Sequence, residues 1–239
     1  MKAKYRTIPE LSPYINHKSY LTFKENHKFF IKELKKKIKT KDNLKLIDVG
    51  CGNGQLLYQI TKKFPLIECT GTDKEIQFIN SAKKFSGLTN VNFITNDFFK
   101  NKGTYNFVFC TSVFQIFQDF KKPLTKLLNL TKKNGYLFVD GLFNKYDVEV
   151  RLQYCDNSNN VAKNLWRSDW SQHSIKTVVK FLKSKKISSY KFVEIPMNKT
   201  LKFNKKIHVN QFTFKSKGKN LITNGTNLIL NRNLLIIKK

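Results

Sequence analysis

The 239-residue chain is 40% hydrophobic and carries 21 phenylalanines, enough apolar mass for a single domain with a sizeable insertion. No apolar run approaches the roughly 18 residues of a membrane span. The basic start Met1–Arg6 leads into no secretory h-region, and Cys51, Cys69, Cys110 and Cys155 show neither metal-ligand nor disulfide-framework spacing. A cytoplasmic protein with free thiols and no metal is expected.

The formal net charge of +29 is almost all lysine, with arginine only at Arg6, Arg151, Arg167 and Arg232. The lysines run through nearly every expected helix instead of forming one strip. The densest group, Lys35–Lys37 with Lys39 and Lys41, falls where a helix ends and cations suit the macrodipole. This reads as a solvated face, so the charge alone does not specify nucleic acid.

Residues 1–18, with Pro9, Ser12 and Pro13, read as a lead-in arm. Residues 19–40 read as a helix with Phe23, Phe30, Leu34 and Ile38 on an apolar face. Residues 44–49 form an apolar strand that runs into Asp48-Val49-Gly50-Cys51-Gly52-Asn53-Gly54. A helix from Gln55 stops near Phe64 at Pro65, and a second strand over 67–72 ends at Asp73. Ile76, Ile79, Ala82 and Phe85 mark a further helix, and Val91–Ile94 a strand closed by Asp97.

Tyr105–Cys110 reads as a fully buried strand, and residues 119–133 as a helix stopped by Asn134-Gly135. The next strand is Tyr136–Leu142. Strand–helix alternation at this pitch specifies an α/β, doubly wound parallel sheet. After residue 143 the pattern loosens. Residues 144–170 form a polar segment, too long for an ordinary connection and of the kind that builds lids. A helix spans 174–183, with strands at 190–195 and 234–237. Between them, residues 199–232 read as a β-rich insertion with turns at Lys217-Gly218 and Asn224-Gly225, the latter a hairpin signal.

The glycine loop follows a strand, where open α/β sheets bind ligands. Its spacing excludes a dinucleotide fingerprint, whose third glycine would fall at Gln55. An acid about 20 residues further on is placed for ribose hydroxyls, and Asp73, followed by Lys74, stands there. An Asp at such a junction also caps a helix, and both roles are compatible. Asp97 admits a capping role as well.

The series Asp-x-Gly-x-Gly-x-Gly, then Asp73, then Asp97 resembles the class I S-adenosylmethionine-dependent methyltransferases over about residues 44–143. The resemblance implies a seven-stranded, mostly parallel sheet with a reversed terminal hairpin. Residues 1–40 would be an arm and helix, and 41–239 the methyltransferase domain. The implied cofactor is S-adenosylmethionine, held by Asp48, Gly50, Cys51, Gly52, Asn53, Gly54, Asp73, Lys74, Asp97, Phe98 and Thr111. In that family the loop wraps the methionine end, the second acid takes the ribose and the third the adenine amino group. The Pro of the family's Leu-Lys-Pro-Gly-Gly lead is absent from Lys132-Lys133-Asn134-Gly135.

A base is needed only for an acceptor that starts protonated, and His173 is the candidate. Tyr154, Trp166 and Trp170 are candidate acceptor-pocket walls, with Asp156 beside them. Thr111-Ser112-Val113-Phe114 lacks the Asn/Asp-Pro-Pro-aromatic box of base-amino methyltransferases, and no RNA-binding appendage is visible. The expected acceptor is a small molecule or a glycan sugar, methylated on oxygen or nitrogen. A tRNA or rRNA methyltransferase using the lysine surface is the alternative.

Overall fold

A computed structural model of the protein describes Ile15 and residues 20–39, 44–158, 165–205 and 208–239. Most of the expected arm, residues 1–18, lies outside these. The helix expected over 19–40 is shorter: α1 is Glu25–Lys35, because Lys24, just before it, is extended with ψ 143°. Its buried Phe30, Ile31 and Leu34 join the core, and buried Glu33 pairs with Lys191 at 2.9 Å.

The alternating units follow as β1 (Lys45–Val49), α2 (Gln55–Lys63), β2 (Glu68–Asp73), α3 (Ile76–Lys84), β3 (Val91–Thr95), β4 (Tyr105–Cys110), α4 (Lys121–Leu130) and β5 (Thr131–Asn144). Beyond them lie β6 (Gln153–Tyr154), β7 (Arg167–Ser168), β8 (His173–Ser174), α5 (Ile175–Ser184), β9 (Ser189–Glu194), β10 (Phe212–Ser216), β11 (Lys219–Thr223) and β12 (Arg232–Lys238). The main sheet runs β3-β2-β1-β4-β5-β12-β9. Strands β1 to β5 are mutually parallel, and β12 is antiparallel to both β5 and β9.

The eighth strand is β8, which adds to β5 at Phe143↔His173. Two buried layers flank the sheet. Phe30, Leu34, Leu46, Leu57, Phe109, Phe138 and Leu234 pack on one face, and Ile47, Val49, Val108, Leu124, Leu137, Val139 and Leu235 on the other. Helices covering both faces explain why these strands read as near-continuous apolar runs.

Two expected boundaries move. Helix α4 ends at Leu130, where the Thr131 hydroxyl donates to the Leu127 carbonyl and Thr131 pairs with Tyr105. Asn134-Gly135 therefore is an irregularity within β5: Asn134 takes φ +64° and its amide donates to the Lys239 carbonyl. In the 199–232 region the hairpin turn is Lys217-Gly218, with φ +47° and +77°, a pairing typical of two-residue hairpins. Asn224-Gly225 starts an irregular reversal in which the Leu230 amide reaches the Ile222 carbonyl.

Candidate active site

Everything the sequence pointed to at 48–54, 73, 97 and 111 lies at the carboxyl ends of β1 to β4. The loop after β1 is pinned by its own backbone. The Gly50 and Cys51 amides both donate to the Thr72 carbonyl, at 2.7 and 3.0 Å. The Gly52 amide donates to Asp73 Oδ2 at 2.9 Å, and the Glu75 amide to Asp73 Oδ1 at 3.0 Å. One carboxylate thus joins the tip of the loop to the start of α3.

Two glycines of this loop differ in their surroundings. A Cβ on Gly54, at φ +82°, would lie 2.7 Å from Phe93, so the site is filled by packing. A Cβ on Gly52, at φ +55°, would meet nothing within 4 Å. The open space at Gly52 is therefore a place where a ligand can approach the backbone.

Asp48 is 1% exposed and its Oδ1 has no hydrogen-bond partner among the described residues. Burial, then the neighbouring Asp73 charge, raises its pKa to about 7. Burial also raises Asp73, against the opposing pull of the Glu75 and Gly52 amides. Cys51 is buried, with its Sγ on the Gly52 carbonyl and its thiol pKa pushed well up by burial. Asn53 is buried, and its carbonyl accepts from the Tyr20 hydroxyl. Tyr20 stacks on Phe85 at 3.9 Å, so the segment before α1 lies across the loop. Gln55 extends this seam by donating to the Thr22 carbonyl.

Lys74 is half exposed, 3.7 Å from Glu75. Asp97 caps a short turn through the Phe99 amide at 2.9 Å, leaving Oδ2 without a partner among the described residues. Phe98 packs edge-on against Phe117 at 4.9 Å, and Thr111 is half-buried after β4. A cleft lined by Lys37, Asn106, Tyr136 and Lys238 opens at the opposite, amino-terminal edge of the sheet, far from these carboxylates.

The expectation of a catalytic base at His173 meets a closed setting. The ring is 1% exposed, lies edge-on to Phe114 and Phe120, and holds Glu149 through Nδ1 at 3.2 Å. Burial lowers its pKa. Glu149 also takes the Ser174 amide, and Ser174 caps α5. His173 therefore ties Glu149 to the β4–α4 connection and offers no open path to a substrate proton.

The candidate wall residues also separate. Tyr154 and Trp170 meet at 4.7 Å, but Trp170 is buried in a small cluster with Leu142, Ile222 and Leu230. Trp166 is 62% exposed, apart from that cluster. Asp156 is buried and accepts from the Ser158 amide and hydroxyl.

Sequence reasoning missed a further group at this edge. Arg232, at the start of β12, pairs with buried Asp140 of β5, and the Ser112 hydroxyl donates to Asp140 at 3.1 Å. An isolated arginine between Asn231 and Asn233 carries no motif; the scarcity of arginine in a lysine-rich chain was the available signal.

Sheet order, reversed β12 and a glycine loop tied to an acid after β2 define a Rossmann-like, nucleotide-type binding fold. A family model described as a methyltransferase domain matches residues 40–190, and the chain belongs to that family, the class I S-adenosylmethionine-dependent methyltransferases. Pavine N-methyltransferase from Thalictrum flavum subsp. glaucum is 28% identical over 105 residues, 42% of this chain and 30% of that protein. A malonyl-(acyl-carrier protein) O-methyltransferase from Halalkalibacterium halodurans is 28% identical over 127 residues, 50% of this chain and 45% of that protein. The chain thus spans less than half the length of these curated relatives. The plantazolicin methyltransferase BpumL, solved with a monoazolic desmethylPZN analog and SAH, shares the fold at a TM-score of 0.59 and 16% identity, over 97% of this chain and 90% of that one. Among the described residues, no helix is long and apolar enough to cross a membrane.

Proposed function

We propose that this chain transfers a methyl group from S-adenosylmethionine to an oxygen or nitrogen of a small-molecule acceptor, a glycan sugar included. The observation that carries this reading is the Gly52–Asp73 link beside an open Gly52 face. A side chain at Gly52 would enter open space beside that link. The cofactor supplies an activated methyl on a sulfonium, and the protein's share is proximity and alignment.

In this reading the lone pairs left on Asp73 accept ribose hydroxyls. Asp97 Oδ2 takes the adenine amino group, with Phe98 along the ring. Asp48, orphaned and buried, faces the methionine end together with the 50–54 backbone, and Thr111 lies beneath. Lys74 adds positive charge at the ribose side. The 41–239 portion acts as the methyltransferase domain, with 144–170 as its lid and Tyr154 and Trp166 on its rim. The relatives' names span unlike acceptors, a pavine, a malonyl-(acyl-carrier protein) and ribosomal protein L11, so the small-molecule choice rests on the chain's own residues. Several lysines lie over aromatic rings on scattered faces, as Lys37 on Tyr136, Lys62 on Tyr58 and Lys185 on Phe181, which supports a solvated surface over a phosphate track.

Calorimetry with S-adenosylhomocysteine tests the cofactor half: binding to the wild type should vanish in Gly52→Trp, and unchanged binding there overturns it. A screen for S-adenosylhomocysteine release against small amines, hydroxy acids, nucleotide sugars and total RNA tests the acceptor half. Turnover with RNA alone would sink the small-molecule assignment.

A further inference from the structure

The methyl-transfer reading leaves the acceptor unnamed, and the Arg232 group, on which the following rests together with that reading, narrows it. Along β5, Asp140 shares a face with Phe138; along β12, Arg232 shares that same face with Leu234 and Ile236. Helix α1 covers this face through Phe30, Ile31 and Leu34, and its amino end brings Lys24 and His27 to the carboxyl edge of the sheet.

Arg232 has five N–H donors in a planar fork. Its Nε donates to Asp140 Oδ1 at 3.3 Å, and its Nη2 donates to Asp140 Oδ2 and, at 3.1 Å, to Ser112 Oγ. Three donors are thereby committed. Both N–H groups of Nη1 have no partner among the described residues, although the side chain is only 14% exposed. Asp140 is 1% exposed, so it fixes the guanidinium as a rigid support does, and Ser112 does so from a left-handed φ of +59°.

The surroundings add positive potential. Lys24 ends the extended lead into α1, and the Arg232 charge lowers its pKa in addition to desolvation. His27 is buried and its Nδ1 has no hydrogen-bond partner among the described residues. Burial, then Lys24 and Arg232, holds its pKa down to about 3. With Asp140 balancing Arg232 and His27 neutral, Lys24 leaves the group with a net positive charge. A preoriented guanidinium edge with two unused donors suits an oxyanion.

We infer that Arg232, held by Asp140 and Ser112 with Lys24 and His27 beside it, is a specificity-determining residue that receives an anionic group of the methyl acceptor, a carboxylate or a phosphate.

The test uses full-length protein saturated with S-adenosylhomocysteine and three probes of one shape: benzoate, phenyl phosphate and benzamide. Binding is followed by nuclear magnetic resonance titration. One or both anions should bind at least about tenfold more tightly than the neutral amide, the size of one charge-assisted contact. Whichever anion is tighter identifies the source. Arg232→Gln should erase that preference while leaving S-adenosylhomocysteine affinity unchanged. Because that variant strands the Asp140 carboxylate, the double variant Asp140→Asn with Arg232→Gln repeats the measurement with the buried charge removed. Lys24→Gln, on the surface, should weaken the preference in part. Equal binding of all three probes, or a preference that survives in the double variant, overturns the inference. Loss of S-adenosylhomocysteine binding by the wild type would instead overturn the methyltransferase reading itself.

Discussion

The Gly52 amide and the Asp73 carboxylate, 21 residues apart in sequence, are joined by a 2.9 Å hydrogen bond that ties the loop after β1 to the end of β2. The bond orients both partners: it directs the backbone of the loop and fixes the carboxylate whose remaining lone pairs would receive a ribose. Hydrogen bonds to a charged partner are worth roughly 1.5–3 kcal/mol. Asp73→Asn is therefore expected to weaken S-adenosylhomocysteine binding by about 10- to 100-fold in calorimetry. An affinity within twofold of wild type would remove Asp73 from the site.

Gly52 and Gly54 should separate binding from stability. Gly54→Ala forces a Cβ to 2.7 Å from Phe93 at a left-handed φ, so it should cost about 1–3 kcal/mol in urea unfolding. Gly52→Ala meets no neighbour, so its cost should stay near the ~1 kcal/mol of the backbone strain alone. Its cofactor affinity should nevertheless fall the more steeply of the two when measured on folded protein. The opposite ranking would mean that the ligand does not approach Gly52.

These contrasts also show what was legible in the chain. The strand–loop–helix from β1 to α2 could be read because its signals are local: an apolar run, left-handed glycines and a helix stopped before Pro65. The start of β5 could not, since Thr131 leaves the helix to pair with Tyr105, and Asn134 meets Lys239 from the far end of the chain. His173 looked like a base because its polar neighbours in sequence are visible there. Its aromatic cage, Phe114 and Phe120, comes from more than 50 residues away. The partners of Arg232 are hidden for the same reason, as Asp140 and Ser112 reach it only across the sheet.

Because His173 is enclosed, His173→Asn should act on stability, not on proton transfer. Losing the Glu149 contact and the ring packing should cost about 1–3 kcal/mol. With an acceptor from the screen, the pH dependence of kcat should keep its shape. A general base contributes typically about 10²- to 10⁴-fold. A loss of that size, together with disappearance of the acid limb of the profile, would restore His173 to the chemistry.

Two buried groups give the fold opposing responses to pH. Asp48 has a folded pKa of about 7 against an unfolded value of 3.8, so the folded state holds a proton that the unfolded chain has lost. Its contribution to stability falls as pH rises from about 4 to about 7, by up to ~4 kcal/mol. His27 has a folded pKa of about 3 against 6.5, so it is neutral when folded and charged when unfolded. Its contribution is complete above about pH 6.5 and is lost as pH falls toward 3, by a similar amount. Between about pH 4 and 6.5 the two slopes, each near 1.4 kcal/mol per unit, run against each other. Asp48→Asn should leave the histidine slope, so that stability rises with pH across this window. His27→Gln should leave the aspartate slope, so that stability falls. Urea midpoints of the two variants across the window should therefore diverge in opposite directions from wild type. Profiles that run parallel would show that neither group is buried in the form that titrates.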